Sequence, residues 1–405
     1  MNNRVVITGI GAVSSIGIGK DAFWQGLIEG RSGISPVSSF DTTAHFTHMG
    51  GEVKDFRPEE YIKEQKILPL SRSSKFAVVA AKLAIEDSGF SIQTLSGLST
   101  GICIGTTLGS VQNVEIINEL NIIKNIADIS LDLIRNVPTH STPAAIAKRY
   151  HTHGQGMMFS TACSAGNYAI GYGFDLIRLQ RADIVIAGAA DPFSRVAFTG
   201  FNQFSAVAPE KCQPFDKNRK GMIVAEGAGI LILESLNHAI KRGVPIYAEI
   251  IGYGLSCDAK HMTNPSIDGI SACMRKAVED AGISIKEIDY ISAHGTGTLA
   301  NDRSECAAIK EVFGNHYRNI PVSSIKSMIG HTMGAASALE AITCALAIKN
   351  GIIPPTINYE TPDPECDIDC VPNEARRHTV NVALNNSYAF GGNNASLVLK
   401  KFSDY

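Results

Sequence analysis

Short apolar runs bounded by glycine alternate along this chain with longer amphipathic stretches. Residues 4–8 read as a strand, 21–29 and 73–88 as helices, and 101–105, 183–188 and 229–234 as further strands, followed by a helix over 235–242. Such short apolar runs between helical stretches predict buried central strands. A second series then opens, with strands over 246–252, 288–292, 381–386 and 395–400 and helices over 270–281 and 333–349. Strands alternating with helices predict α/β architecture. Two comparable series predict a duplicated fold, an N-terminal half over 1–243 and a C-terminal half over 244–405. The breaker residues Arg242-Gly243-Val244-Pro245 stand at the join. No low-complexity segment or flexible linker interrupts the pattern.

Charge adds only exclusions. Lys and Arg number 36 against 39 Asp and Glu, a formal net charge of −3. With no global basic field, neither nucleic acid nor an anionic membrane is expected as a partner. The first apolar run is too short and too interrupted by glycine for a secretory segment, and no later run reaches membrane-spanning length, so a soluble cytoplasmic protein is expected. The segment Gly9-Ile10-Gly11-Ala12-Val13-Ser14 opens like a dinucleotide loop but lacks the third glycine and a well-placed acid. No nucleotide or other cofactor is expected.

Nine cysteines are scattered through the chain without a Cys-x-x-Cys pair, which favours neither a disulfide framework nor a metal site. Cys366 and Cys370 come nearest to a metal spacing, with no histidine close by. Most of the others lie in apolar stretches, as Cys103 and Cys344 do, where cysteine acts as a small hydrophobe. Cys163 differs, because Phe159-Ser160-Thr161-Ala162-Cys163-Ser164-Ala165-Gly166 surrounds it with small and hydroxylic residues.

The strand-like 157–161 leading into a helical 166–180 puts the Cys163 sulfur near unpaired helical N–H groups, which favour a thiolate. Its own N–H can also face a developing oxyanion. A buried inert cysteine in a tight turn fits the same motif. His294 in Ala293-His294-Gly295-Thr296-Gly297-Thr298 should emerge at the carboxyl end of a strand, where open α/β sheets bind ligands. His331 in Lys326-Ser327-Met328-Ile329-Gly330-His331 repeats that arrangement. Two such histidines can donate hydrogen bonds to one carbonyl oxygen and stabilise an enolate, although a loop histidine capping the next helix remains an alternative. A contact between Lys326 and Glu305, on the helix after His294, would fix charge and orientation; a solvated surface lysine is the other reading. Phe390, before Gly391 and Gly392, reads as a gate on a close-approach loop or as part of a plain strand connection.

These residues resemble the β-ketoacyl-acyl carrier protein synthases, above all the elongating type II branch, over essentially the whole chain. The resemblance rests on Thr161 to Gly166, His294 to Thr298 and Lys326 to His331, in that order. Supporting segments are Pro214-Phe215-Asp216-Lys217, Ala225-Glu226-Gly227-Ala228-Gly229 and Pro354-Pro355-Thr356-Ile357-Asn358. It implies a thiolase-like fold of two α/β halves in five layers, a dimer, and decarboxylative condensation without an organic cofactor. On that likeness Cys163 carries the acyl group, His294 and His331 stabilise the malonyl-derived enolate, and the N–H groups of Cys163 and Phe390 form the oxyanion hole. Lys326 and Glu305 form the supporting pair, Thr296 and Thr298 bind the phosphopantetheine arm of an acyl carrier protein, Phe390 gates malonyl entry, and Leu108 and Phe201 line the acyl pocket.

The chain departs from the family pattern in three places. Its C-terminal loop is Ala389-Phe390-Gly391-Gly392-Asn393-Asn394 where Gly-Phe-Gly-Gly-Thr-Asn is commoner. Basic residues for carrier docking are sparse, since residues 66–72 are more apolar than usual and Ser205 replaces a common arginine. Arg135 and Asn136 stand where aromatics shape a deep fatty-acyl pocket. These departures point to a specialised partner or an unusual acyl chain. Two other readings share the fold. A non-catalytic chain-length subunit of a heterodimer would lack the nucleophile, and a thiolase acting on coenzyme A thioesters would have a second catalytic cysteine near the C-terminus.

Overall fold

In the computed structural model, which describes residues 3–63, 67, 69–123, 127 and 129–403, the two halves repeat one strand order. The first half contributes β1 (Val5–Ser14), β2 (Thr100–Gly105), β3 (Gly156–Phe159), β4 (Ile184–Asp191) and β5 (Gly227–Ser235). The second contributes β6 (Ala248–Cys257), β7 (Tyr290–Ser292), β8 (Val322–Ser323), β9 (Val382–Tyr388) and β10 (Asn393–Lys400). From the centre outward the order is β1-β5-β4-β2-β3 on one side and β6-β10-β9-β7-β8 on the other. The directions match step by step: two antiparallel pairings, then two parallel ones. Antiparallel pairing of β1 with β6 joins the two sets.

Five helices complete the layers: α1 (Arg72–Asp87), α2 (Ala165–Arg178), α3 (Ile267–Asp280), α4 (Leu299–Phe313) and α5 (Ala335–Asn350). Alternation within the strands explains the layering. On β5, Leu231 and Leu233 face a core shared with Ala169 and Ile170 of α2 and Leu339 and Ile342 of α5. Ile230 and Ile232 face Phe76 and Val79 of α1. On the other side, Leu397 of β10 joins the shared core while Val398 packs on Ile270 of α3 and Ile309 of α4. The result is helix, sheet, paired central helices, sheet, helix, with strands apolar on both faces because both are covered. Among the described residues no helix is long and apolar enough to cross a membrane.

Two sequence expectations change. The predicted strand 4–8 runs on to Ser14, so the glycines that opened like a nucleotide loop lie inside β1. A Cβ at Gly11 would meet the Ala80 carbonyl oxygen of α1 at 1.9 Å, and one at Gly9 the Ala84 carbonyl oxygen at 2.2 Å. These glycines let the helix lie against the strand. The helices Val111–Ile123, Ser141–Tyr150 and Arg195–Gln203 were not expected from periodicity. The first of them exposes Val114, Ile116, Ile122 and Ile123, which blurs an amphipathic pattern.

Candidate active site

The shared core brings the nucleophile turn under the second half. After β3 the chain passes Ala162, whose φ of 51° is left-handed, and turns through Ala162–Ser164 into α2. The conformation is strained for a residue with a Cβ, and hydrogen bonds from both halves hold the turn. Ser164 Oγ donates to the Thr161 and Asn393 carbonyls, both at 2.9 Å, and Ser387 Oγ donates to the Cys163 carbonyl at 3.0 Å. A Cβ at Gly166 would meet the Ala338 nitrogen at 2.7 Å, so glycine is what allows α2 to cross α5 this closely.

Cys163 lines a cavity with His294, His331, Thr296, Thr298, Phe201, Phe390, Tyr388 and Met222. The expected lowering of its thiol pKa is reversed. Burial pushes the thiol up to about 12, against the nearby Lys326 charge and the backbone N–H groups of Cys163 and Phe390, which favour the thiolate. Desolvation outweighs them. The same two N–H groups are the pair expected to form the oxyanion hole.

His294 follows β7, and Glu305 of α4 holds the loop. Glu305 accepts the backbone N–H groups of His294 and Gly295, each at 2.8 Å. His331 donates its own N–H to the Ile223 carbonyl at 2.7 Å, and its Nδ1 accepts the Met333 N–H at 3.1 Å. An accepting Nδ1 places the ring proton on Nε2, making that nitrogen a hydrogen-bond donor. The rings stand edge to face, 5.5 Å apart. Both imidazoles are held well below the ordinary value by burial, and by the nearby Lys326 charge; His294 also feels His331. They are neutral.

Lys326 is fully buried, and its ion-pair partner is Glu340 of α5. This corrects the expected Lys326–Glu305 pair. The Glu305 carboxylate is occupied by the two backbone donors, whereas α5 carries Glu340 directly to the Lys326 ammonium. The signal was present, since Glu340 is the one acid in Ala335–Asn350, an otherwise apolar helix. Burial pushes both carboxyls up to about 7, with Lys326 acting in the opposite direction on each. Lys326 therefore acts on Cys163, His294, His331, Glu305 and Glu340 at once.

Phe201 and both threonines line the cavity, with the two threonine hydroxyls 2.8 Å apart. Leu108 is not among the lining residues and packs behind it in the cluster of Phe198, Met222 and Met333. Its N–H instead meets Asp191, a buried carboxylate that sequence reasoning missed. Asp191 ends the apolar strand β4 and accepts from Thr106 Oγ1 and from the N–H groups of Thr107, Leu108 and Gly334. It ties the loop after β2 to the start of α5. Of the segment expected to bear on carrier docking, residues 66 and 68 lie outside the described residues, and Arg72 is held by buried Glu226.

Five layers, a repeated strand order and a cysteine facing two neutral histidines define a thiolase-like condensing fold. Residues 2–239 match the beta-ketoacyl synthase N-terminal domain and 247–360 its C-terminal domain. The 3-oxoacyl-[acyl-carrier-protein] synthase 2 of Synechocystis is 40% identical over 98% of each chain, and Nodulation protein E of a Rhizobium species 39% identical over 99% of this chain and 100% of its own. Among solved structures, the ishigamide ketosynthase/chain length factor superposes with a TM-score of 0.96 at 44% identity over the full length of both chains. The AntDE:AntF complex, a type II PKS acyl-carrier protein with its ketosynthase bound to the hexaketide, gives 0.90 at 34%, also over both full lengths. The chain belongs to the beta-ketoacyl synthase family.

Proposed function

We propose that this chain is a β-ketoacyl-acyl carrier protein synthase, an acyltransferase that forms a carbon–carbon bond in fatty-acid or polyketide elongation. The observation that carries the reading is the convergence of Cys163, His294, His331 and the Phe390 N–H on one cavity. The Cys163 sulfur attacks an acyl thioester, and the carrier's pantetheine thiol leaves with the proton. Malonyl thioester then binds with its carbonyl oxygen between His294 and His331. The His331 Nε2–H donor, and His294 beside it, stabilise the enolate as the bond to the carboxylate breaks and carbon dioxide departs. The enolate carbon attacks the acyl-Cys163 carbonyl, whose oxyanion is received by the N–H groups of Cys163 and Phe390, and the Cys163 thiolate is expelled. Splitting one condensation into two exchanges suits a sulfur that both attacks and leaves well.

Thr296 and Thr298 supply hydroxyls for the pantetheine arm at the cavity wall. The AntDE:AntF complex supports an acyl carrier protein as the donor. Arg135 and Asn136, which lie outside the lining of the Cys163 cavity, support a specialised partner or an acyl chain unlike a saturated fatty acid. We read the chain as two halves, 1–243 and 244–405, acting in the cytoplasm as a dimer. The dimer forms along β3, whose outer edge has no strand beside it among the described residues and which carries exposed Met157. The second subunit is another copy or a cysteine-less homologue.

Intact-mass analysis after incubation with acyl-carrier protein tests the nucleophile. Wild type gains the acyl mass and Cys163→Ala does not; acylation of the variant would refute the assignment.

A further inference from the structure

Phe390 carries the gate, and two contacts hold it from outside the sheet. Gly391 N–H donates to the Met262 carbonyl at 2.9 Å. The Phe390 ring meets Phe201 at 5.6 Å and, nearly perpendicular, Phe204 at 6.0 Å. Phe201 and Phe204 are themselves edge to face at 6.5 Å. Gly391 and Gly392 both have φ of 81°; a Cβ at Gly391 would meet nothing within 4 Å, whereas Gly392 packs on Asp258, whose N–H donates to its carbonyl at 3.0 Å, so the turn is open at Gly391 and anchored at Gly392.

Phe204 is the unexplained member of this trio. It caps the Arg195–Gln203 helix, is 57% exposed, and does not line the cavity. A large ring left in water at this position contributes little to the core, and its visible partners are the gate ring and Phe201. We propose that Phe204 is a positioning residue for the gate, an outer jaw that keeps the Phe390 ring over the Cys163 cavity. The inference rests on Phe390 acting as a gate, and it assigns to an exposed residue the balance between the closed and open gate.

An edge-on aromatic pair shifts a two-state balance by about two- to ten-fold. The readout is the alkylation rate of Cys163 by iodoacetamide, followed as the mass of its peptide at one pH. This needs an accessible sulfur but no turnover, so it is separate from the acylation test of the nucleophile. Phe204→Ala should raise the rate by about two- to ten-fold, and Phe204→Tyr, which keeps the ring, should restore it. With Phe390→Ala already present, Phe204→Ala should add nothing further. Equal rates in wild type and Phe204→Ala, or an undiminished effect without the Phe390 ring, would overturn the proposal. Failure of wild type to acylate at Cys163 would overturn the nucleophile instead.

Discussion

Lys326 and Glu340 form a buried pair in the electrostatic centre of the site, and their energetics differ from those of surface ion pairs. Removing one partner leaves an uncompensated buried charge. Glu340→Gln should cost about 3–5 kcal/mol of stability, read as a fall in the denaturant midpoint. Replacing both residues by apolar ones of similar volume should recover most of that loss. A single variant as stable as wild type would mean that the pair is solvated.

The neutral histidines set the pH behaviour. Folding holds both imidazoles below their ordinary value of 6.5, so below that pH the unfolded chain binds protons that the folded chain refuses. Their contribution to stability is intact above about 6.5 and falls as pH drops, by about 1.4 kcal/mol per pH unit for each histidine. Glu305, raised to about 7, runs the other way: its contribution is full below 4.5 and is lost as pH rises toward 7. The histidine part is isolated by subtracting the profile of His294→Asn/His331→Asn from that of wild type, and a flat difference between pH 5 and 6.5 would contradict neutral imidazoles. The roles of cysteine and histidines separate in Cys163→Gln. Malonyl-thioester decarboxylation should persist there while condensation disappears, and loss of both would show that enolate stabilisation depends on the thiol.

Among the elements, β1 against α1 is the contact least tolerant of change. Gly11 meets the Ala80 carbonyl, a backbone atom that has no rotamer by which to yield. Gly11→Val should therefore destabilise by about 1–3 kcal/mol or more through overpacking, seen in the thermal or denaturant midpoint. A neutral outcome would mean that α1 can lift off the sheet. The central pair α2 and α5 is built on the same device at Gly166. Helix crossing there couples the nucleophile turn to the helix that carries Glu340.

For the whole molecule, β3 ends the strand order with an edge that no strand covers among the described residues. It carries exposed Met157. An open edge that carries an exposed apolar side chain is an association surface. Sedimentation should give a dimer, with a second copy or with a homologue, and Met157→Lys should weaken it. A wild-type monomer at micromolar concentration in the presence of its homologue would refute this edge as the interface.

Local pattern was enough to read the α/β class, the strands β2, β4 and β5, and the Cys163, His294 and His331 motifs. Each depends on residues adjacent in the chain: an apolar run between glycines, or a reactive side chain next to residues without bulk. It did not reveal that Gly9 and Gly11 belong to a strand, because the helix they accommodate begins 61 residues after Gly11, at Arg72. Nor did it pair Lys326 with Glu340 or find the Asp191 clamp, since which carboxylate reaches a buried donor is set by how helices cross. The state of the Cys163 thiol is a tertiary property too. The helix end that favours a thiolate is visible in sequence, but the burial that outweighs it exists only once both halves have closed around the sulfur.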